Sequence, residues 1–515
     1  MKTDTKNGFT YEKNGWKYIS VKGNPKERGY AYGFACAKDF IEIQKMLDFF
    51  MYESYGRDWK FFIEKVNDDF KEMTKTDFPE FYEEMEGIAD GCNANGCKTS
   101  VDEMIAWNFY MSIPYWYPSW IETSESPDGS KPKKSSVGPR EGGAGGAKDH
   151  CSAFIAVGKD WTEDGNIVVA HNSFCDYIDG QFANVVLDIT PEDGYRIIMQ
   201  TSPCWIWSGT DFFVTSKGII GTETTIGGFL PYVKKYPIAY RIRKAMQYGK
   251  TLDDYVEILL DENSGDYANS WLFGDTTTNE ILRIELGLEF HNVERTKNGY
   301  FIGFNATYDP QIRNIECVNS GFYDIRRHQG ARYVRLNDLM DENKGKLNVE
   351  IAKKIIADHY DVYLHKDNKC SRTVCSHYDL DPREYMSAPG RPLPFAPHGA
   401  VDGFVCDSKM AEDMMICGRY GNSCGTPFIK DDFIKKHRQY ETFGPYLKDR
   451  PSEEWTNLSA DSDSSSQNKN KDEQEEEKEK EKEQEGGKNK KSKPRFRLTR
   501  RSKNKMHKKH TLKSR

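Results

Sequence analysis

A cysteine and a His-Asn pair stand at the ends of two apolar runs that together predict a β-hairpin. Cys151 opens the run 153–158, His171-Asn172 closes the run 166–170, and Asp164-Gly165 lies between them as a turn dipeptide. Antiparallel partner strands lie about 4.8 Å apart, so we expect Cys151 and His171-Asn172 to share one end of the hairpin. A thiol in this position can serve as the nucleophile of an acyl transfer.

The segment before Cys151 indicates how that thiol could be activated. Residues 123–150 are rich in Gly, Ser, Pro and Lys and end at His150, a composition typical of a flexible connector. Cleavage between His150 and Cys151 would free an α-amine, whose reference pKa of about 7.7–8.0 lets it accept the thiol proton. Position alone favours the alternative, a buried structural cysteine that opens an ordinary strand.

Five blocks give the chain a resemblance to a known superfamily. Between about residues 151 and 430 it resembles the N-terminal-nucleophile hydrolases. Within them it is similar to the phospholipase B-like proteins and to the isopenicillin N acyltransferase-like, autoproteolytic cysteine peptidases. The matching blocks are His150-Cys151-Ser152-Ala153, His171-Asn172-Ser173-Phe174, Glu223-Thr224-Thr225-Ile226-Gly227-Gly228, Asn305 and Ala331-Arg332-Tyr333.

The resemblance implies a role for each block. The nucleophile is Cys151, the oxyanion donors are the Asn305 amide and one of two neighbouring threonines, and Arg332 organises the amine side of the pocket. His171 stands where choloylglycine hydrolase-like relatives carry Arg and phospholipase B-like members carry His. The expected catalytic residues are therefore Cys151, His171, Asn172, Thr224, Thr225, Asn305 and Arg332.

Several of these residues also have an ordinary structural interpretation. His171 can be a core histidine, and Asn172 can hold a turn through its side chain. Successive side chains alternate faces along a strand, so one of Thr224 and Thr225 should face the site, and the motif favours Thr225. The choloylglycine-type Asp is replaced by Phe174, which leaves the supporting carboxylate open; the nearest acids are Asp176 and Asp179. The expected apolar substrate pocket consists of Trp205, Trp207 and Phe229.

The order of predicted elements is strands, two helices, strands, two helices, which favours an antiparallel α+β fold. The resemblance implies the four-layer αββα sandwich. We expect four segments: a mostly helical precursor over 1–122, a linker over 123–150, a catalytic domain over 151–455 and a disordered charged tail over 456–515. The helical precursor is expected to stay bound after cleavage, as a partner of the catalytic domain.

Composition limits which classes of protein and which compartments this chain fits. The 515 residues carry a net charge of −7, and 37% are hydrophobic, enough for a sizeable core. The N-terminus shows no signal-peptide pattern and no apolar run reaches membrane-spanning length. We therefore expect a cytoplasmic protein or one whose location the sequence leaves open. The close pairs among the 12 cysteines lack Cys-x-x-Cys spacing. We therefore expect Cys92/Cys97, Cys370/Cys375 and Cys417/Cys424 to be unlinked thiols, with no metal and no cofactor.

The C-terminal end has a charge pattern of its own. Residues 488–515 contain 14 Lys and Arg and no acidic residue. Such a segment can make a weak contact with a polyanion or an anionic membrane, although a merely solvated tail is the simpler expectation.

The leading functional hypothesis is an autoprocessed cysteine hydrolase of the phospholipase B-like kind. Its substrate would be an acylated small molecule or a lipid, cleaved at an ester or amide through an acyl-enzyme on Cys151. An acyltransferase or peptide-amide hydrolase of the same superfamily is an alternative. A non-enzymatic scaffold with a polyanion-binding tail is another.

Overall fold

The fold is mixed α+β in this computed structural model, which describes residues 2–124, 151–318, 321–382 and 394–462. Most of the expected linker, including His150, and most of the expected tail lie outside the described residues. No helix in these ranges is long and apolar enough to cross a membrane.

The strands in chain order are β1 (Thr3–Thr5), β2 (Gly8–Lys13), β3 (Trp16–Gly23), β4 (Cys151–Val157), β5 (Val168–Asp176), β6 (Val185–Pro191), β7 (Ile197–Thr201), β8 (Phe212–Thr215), β9 (Ile219–Thr225), β10 (Asn269–Asp275), β11 (Glu280–Leu286), β12 (His291–Thr296), β13 (Gly299–Gly303), β14 (Tyr360–Asp361), β15 (Lys366–Asp367), β16 (His398–Ala400), β17 (Asp402–Asp407), β18 (Ile416–Tyr420) and β19 (Thr456–Leu458).

The α-helices are α1 (Pro25–Tyr55), α2 (Trp59–Asp77), α3 (Pro79–Ala94), α4 (Val101–Asn108), α5 (Ile113–Ser124), α6 (Tyr177–Gly180), α7 (Ile238–Tyr248), α8 (Leu252–Leu260), α9 (His328–Glu342), α10 (Val349–Ile356), α11 (Ser408–Glu412) and α12 (Lys430–Lys436). Short 3₁₀ segments cover Tyr110–Ser112 and Arg438–Phe443, and a π-helical turn covers Ile312–Glu316.

Two large sheets organise these strands. The first, called the large sheet here, runs β1-β2-β3-β6-β7-β8-β9-β10-β11-β12. The second, called the nucleophile sheet after the role predicted for Cys151 at the start of β4, runs β13-β4-β5-β17-β18-β19, with β16 also paired to β5. The predicted hairpin is confirmed: β4 and β5 pair antiparallel, with Cys151 opposite Ser173 and Ala153 opposite His171.

The large sheet separates two apolar cores. Along β7, Ile197 and Met199 enter the core that contains residues of α1, α3, α7 and α8. Ile198, which points to the opposite face, enters the core that the large sheet shares with the nucleophile sheet and with α9 and α10. Both faces of β7 are thus buried, which explains why its sequence is apolar without alternation.

The N-terminal segment departs from the prediction in one respect. Its helices α1–α5 are present, but β1–β3 also extend the large sheet, so the segment is part of the same fold. Strand β3 runs parallel to β6, with Lys17 opposite Val185, whereas an all-antiparallel arrangement was expected. A parallel pair needs a long crossover, and the helical segment between β3 and β6 provides one.

The expected boundary of the tail at residue 456 was wrong. Thr456–Leu458 form β19 and pair with β18 at the edge of the nucleophile sheet, and Leu458 is fully buried. Few apolar residues surround this strand in the sequence, so composition gave no signal of it; tertiary pairing decided it. The expected tail beyond residue 462 lies outside the described residues.

Candidate active site

Cys151 occupies the first position of β4 and its side chain is almost completely buried. Its Sγ lies 3.9 Å from Oε1 of Glu223, which comes from β9 of the large sheet. Burial and the neighbouring Glu223 raise the pKa of the Cys151 thiol well above its ordinary value. The thiol is therefore neutral in this uncleaved chain and needs a nearby proton acceptor before it can attack.

Asn305 and Arg332 hold the backbone of Cys151, and the structure brings all three together as predicted. The Cys151 backbone N–H donates to Asn305 Oδ1 at 3.2 Å. Arg332 donates from Nη2 to the same oxygen at 2.8 Å, and from Nη1 to the Cys151 carbonyl and to Ser152 Oγ. Arg332 thereby fixes both the first peptide unit of β4 and the Asn305 side chain.

The Asn305 amide group is turned so that its oxygen faces Cys151. Its Nδ2 donates to the Thr225 carbonyl at 2.8 Å. Asn305 follows the end of β13 with φ of +61°, a left-handed conformation that asparagine tolerates better than most residues. The predicted oxyanion role requires Nδ2, whereas the observed contact with Cys151 uses Oδ1. In this orientation the Asn305 side chain holds the backbone N–H of Cys151.

Two buried carboxyl groups lie beside the thiol. The Tyr267 hydroxyl bridges Glu223 and Asp211, at 3.0 Å from Glu223 Oε1 and 2.7 Å from Asp211 Oδ2. Burial, reinforced by the charge of Asp211, raises the pKa of Glu223 well above its usual range. Burial also raises the pKa of Asp211. The pair therefore retains a proton at neutral pH, as expected for two carboxyls in one dry site.

His171 and the two threonines are also near this group. A ring nitrogen of His171, the Cys151 Sγ and an Asp211 carboxylate oxygen lie within 4.8 Å of one another. Burial lowers the pKa of His171 to about 3, so its ring is neutral. Thr225 lies on the same face of β9 as Glu223. Thr224 packs instead against Gly303 of β13, where an added Cβ would come within 2.4 Å of its side chain.

Asn172, which the sequence predicted as a catalytic residue, does not join this group. It points to the other side of β5, and its Nδ2 donates to the carbonyls of Ile356 and Val374 at 2.7 and 3.1 Å. The alternation of side chains along a strand separates it from His171. Asn172 ties the hairpin to the segments that follow α9 and α10.

Tyr267 is one of the residues that line a narrow cavity of about 50 Å³. Aromatic and apolar residues of the N-terminal segment, among them Phe50, Tyr110 and Tyr115, line it together with Asp176 and Asp179. The expected pocket residues Trp205, Trp207 and Phe229 do not line this cavity. Trp205 and Trp207 stack on each other with centroids 5.5 Å apart, and Trp207 meets Tyr267 edge-on at 6.1 Å.

Sequence reasoning missed Glu223, Asp211 and Tyr267 as members of the site. The sequence could have identified Glu223, because this residue lies in a matched block and shares its strand face with Thr225. Asp211 and Tyr267 come from loops, both with positive φ, and no local pattern links them to Cys151. A carboxyl group beside the Cys151 thiol comes from the large sheet, whereas Asp176 and Asp179 line the cavity.

Comparison with known proteins finds a similarity over a segment that includes Cys151 and the two carboxyl residues beside it. Residues 37–282 match the model of the family described as Phospholipase B. A rat protein (Rattus norvegicus) described as "Putative phospholipase B-like 2" is 22% identical over 266 residues, covering 44% of this chain and 44% of that protein. The mouse protein (Mus musculus) of the same description is 30% identical over 89 residues, 16% of this chain and 15% of that protein.

The matches cover less than half the length of these relatives. The family match includes Cys151, His171, Asp211, Glu223 and Tyr267 and ends before Asn305 and Arg332. Residues 37–282 are therefore similar to the Phospholipase B family over the segment that contributes the thiol and the carboxyl pair.

Proposed function

We propose that this protein is an autoprocessed cysteine hydrolase of the phospholipase B-like kind, with Cys151 as an N-terminal nucleophile. The carrying observation is the position of Cys151: it opens a buried strand, its thiol faces Glu223, and its N–H donates to the Asn305 side-chain oxygen Oδ1. A structural cysteine needs none of these polar neighbours. The family similarity over residues 37–282 supports the hydrolase class.

Processing would begin with attack of the Cys151 sulfur on the carbonyl carbon of the preceding residue. The peptide C–N bond breaks, the acyl group moves to sulfur as a thioester, and the Cys151 nitrogen takes up a proton as it becomes an amine. Water then hydrolyses the thioester and releases the N-terminal fragment as a carboxylate. The same thiol, now with its own amine, is free to attack an acyl substrate.

The Glu223–Asp211 pair is the proposed proton acceptor for the first attack, when no free amine exists. Glu223 Oε1 lies 3.9 Å from the thiol, and because the pair shares one proton, its remaining negative charge can accept the thiol proton. After cleavage, the Asn305 Oδ1 would accept from the Cys151 amine and aim its lone pair toward the thiol. Arg332 keeps Asn305 in that orientation.

The substrate is proposed to be an acyl ester or amide with an apolar acyl chain. The cavity that reaches Tyr267 is narrow and is lined largely by aromatic and apolar side chains. Part of that lining comes from the N-terminal segment. The N-terminal fragment would therefore stay bound after the peptide bond is cut and would keep its share of the pocket lining. Phospholipids combine such chains with an ester and are the first class to test.

The finer structural class is part of the same proposal. Helices α1, α3, α7 and α8 share one core with the large sheet, while α9 and α10 share the other core with both sheets. This order supports the four-layer αββα sandwich of N-terminal-nucleophile hydrolases, as does a nucleophile at the start of a central strand.

The test compares the wild type with Cys151→Ala and with a matched control, Cys175→Ala, which removes a neighbouring thiol on β5. Each is incubated with a phospholipid, an N-acyl amide and a short peptide amide, and free fatty acid or amine is measured. Release by the wild type and control but not by Cys151→Ala supports the proposal. Equal release by all three would show that Cys151 is not the nucleophile, and release by none would favour a non-enzymatic scaffold. Transfer to an added amine in place of water would identify an acyltransferase.

A further inference from the structure

Four metal-ligating side chains meet away from Cys151, in the irregular region that follows α10. His359 follows α10, Cys375 and His377 lie in the loop before β16, and Cys424 lies in the turn after β18. One ligand atom from each lies within 4.8 Å of the others. Cys375 and His377 are completely buried, and His359 and Cys424 are partly buried.

The separations match the edges of a coordination tetrahedron. The two Nε2 atoms of His359 and His377 lie 3.1 Å apart, and His377 Nε2 lies 3.5 Å from Cys375 Sγ and 3.4 Å from Cys424 Sγ. Zn²⁺ bonds of about 2.0 Å to nitrogen and about 2.3 Å to sulfur give tetrahedral edges of roughly 3.3–3.8 Å. The three separations from His377 Nε2 lie close to these edges, and all four ligand atoms lie within 4.8 Å of one another.

The ligand chemistry also fits. Two thiolates neutralise the charge of a divalent ion, and two Cys with two His is a common donor set of structural zinc sites. His377 presents Nε2 to the cluster, while its Nδ1 lies 3.9 Å from the Asp379 carboxylate and 3.4 Å from the Asn422 amide. Metal-bound histidines usually have such a partner on the second ring nitrogen, which fixes the ring orientation.

We propose that His359, Cys375, His377 and Cys424 bind one Zn²⁺ in a closed, structural site. Four protein ligands fill the tetrahedron, so the ion has no open position for substrate. The sequence led to the opposite expectation, because the ligands come from three separate segments and none forms a Cys-x-x-Cys pair. Folding, and not local spacing, brings them together.

The site would fasten this irregular region to the nucleophile sheet. Cys375 packs with Phe174 of β5 and Ala400 of β16, and Phe174 lies under the Arg332 guanidinium at 5.2 Å. Val374, next to Cys375, accepts from Asn172 of β5, and Ser423, next to Cys424, donates to the Ile356 carbonyl at the end of α10. The ion would thus hold in place the segments that pack against Phe174, which contacts Arg332, whichever reaction the protein performs.

The test is the metal content of the full chain, purified with its thiols reduced and with zinc in the growth medium. We expect one Zn²⁺ per chain by elemental analysis, and a loss of at least about tenfold in Cys424→Ser and in Cys375→Ser. Cys417→Ser is the matched control: it removes a buried thiol of β18 outside the cluster and should keep its zinc.

A second measurement covers variants that fail to fold. The wild type is stripped with a chelator and titrated with Co²⁺, which should produce a thiolate-to-cobalt charge-transfer band and restore the thermal midpoint lost on stripping. Absence of zinc from the wild type, a Cys375–Cys424 disulfide in peptide mapping without reductant, or unchanged zinc in Cys424→Ser would each overturn the proposal. A different metal in the wild type would overturn the assignment to zinc.

Discussion

Glu223 Oε1 lies 3.9 Å from the sulfur of Cys151, although the two residues belong to different sheets and are far apart in the chain. The contact exists because β9 of the large sheet packs over the start of β4. It gives a buried thiol a buried carboxyl partner, which an ordinary core cysteine lacks. The following predictions start from this relationship.

The first prediction concerns self-cleavage. Wild-type protein should yield two associated fragments of about 17 and about 42 kDa, at roughly 115 Da per residue. Cys151→Ala should stay at full length, because no sulfur is present to attack the preceding carbonyl. Intact mass spectrometry measures both. Equal cleavage in the two proteins would show that an outside protease acts.

The second prediction concerns Glu223. Glu223→Gln keeps the size of the side chain but removes the proton acceptor, so self-cleavage should slow by about 10²–10⁴-fold. The rate is followed by the appearance of the large fragment after synthesis in a cell-free system. Asp188→Asn, which alters another buried carboxylate that pairs with Arg196, is the control and should cleave normally. An unchanged rate in Glu223→Gln would remove the carboxyl pair from the mechanism.

The third prediction separates two roles of Asn305. Asn305→Asp keeps oxygen acceptors for Cys151 N–H and Arg332 but loses the Nδ2 donor, whereas Asn305→Ala loses both. If Asn305 positions the nucleophile, the Asn305→Asp variant should retain most of the turnover and the Asn305→Ala variant should lose it. If Asn305 donates to the oxyanion, both should lose about 10²–10³-fold in kcat. Circular dichroism and the thermal midpoint check that each variant is folded.

Arg332 should be sensitive even to a conservative change, and this is the fourth prediction. Its guanidinium donates to the Cys151 carbonyl, Ser152 and Asn305 together, and a lysine cannot reach all three. Arg332→Lys should therefore lower turnover and also the thermal midpoint. Arg335→Lys, on the same helix but in a partly exposed pair with Asp358, should change both much less. Comparable behaviour of the two variants would contradict the assignment.

The fifth prediction concerns pH and Asp402. This buried carboxyl accepts from Ser173 N and from Gln200, and burial raises its pKa to about 6. Between about pH 4 and 6 the unfolded chain ionises Asp402 while the folded chain keeps it protonated, so the free energy of unfolding falls as pH rises. In Asp402→Asn, the decrease in the free energy of unfolding between about pH 4 and 6 should be smaller by on the order of 1–3 kcal/mol. Urea unfolding across that pH range measures it. An identical pH slope in both proteins would contradict it.

The ordered domain and the sequence-predicted tail can be separated by truncation. A chain ending at Ser462 should keep normal turnover and stability but lose any salt-dependent retention on heparin or anionic vesicles. A chain ending at Trp455 also loses β19 and the buried Leu458, so its thermal midpoint should fall. If the two chains were equally stable, β19 would not contribute to the sheet edge.

The sequence by itself determined the local elements around Cys151. The turn at Asp164-Gly165 and the two β-prone runs predicted the hairpin, and the structure pairs Ala153 with His171 as that pattern requires. Cys151, Asn305 and Arg332 were also found in advance, because each stands in a matched block. Local propensity and motif spacing carry this information, since they depend on neighbours along the chain.

Only the tertiary structure decided which side chains surround the thiol. Asn172 and His171 are adjacent in the sequence, yet the pleat of β5 sends them to opposite faces, and Glu223 arrives from another sheet. The same holds for His359, Cys375, His377 and Cys424, which come from segments with no shared spacing. Side-chain position across two packed sheets depends on strand register and sheet order, and neither is written in any single stretch of the chain.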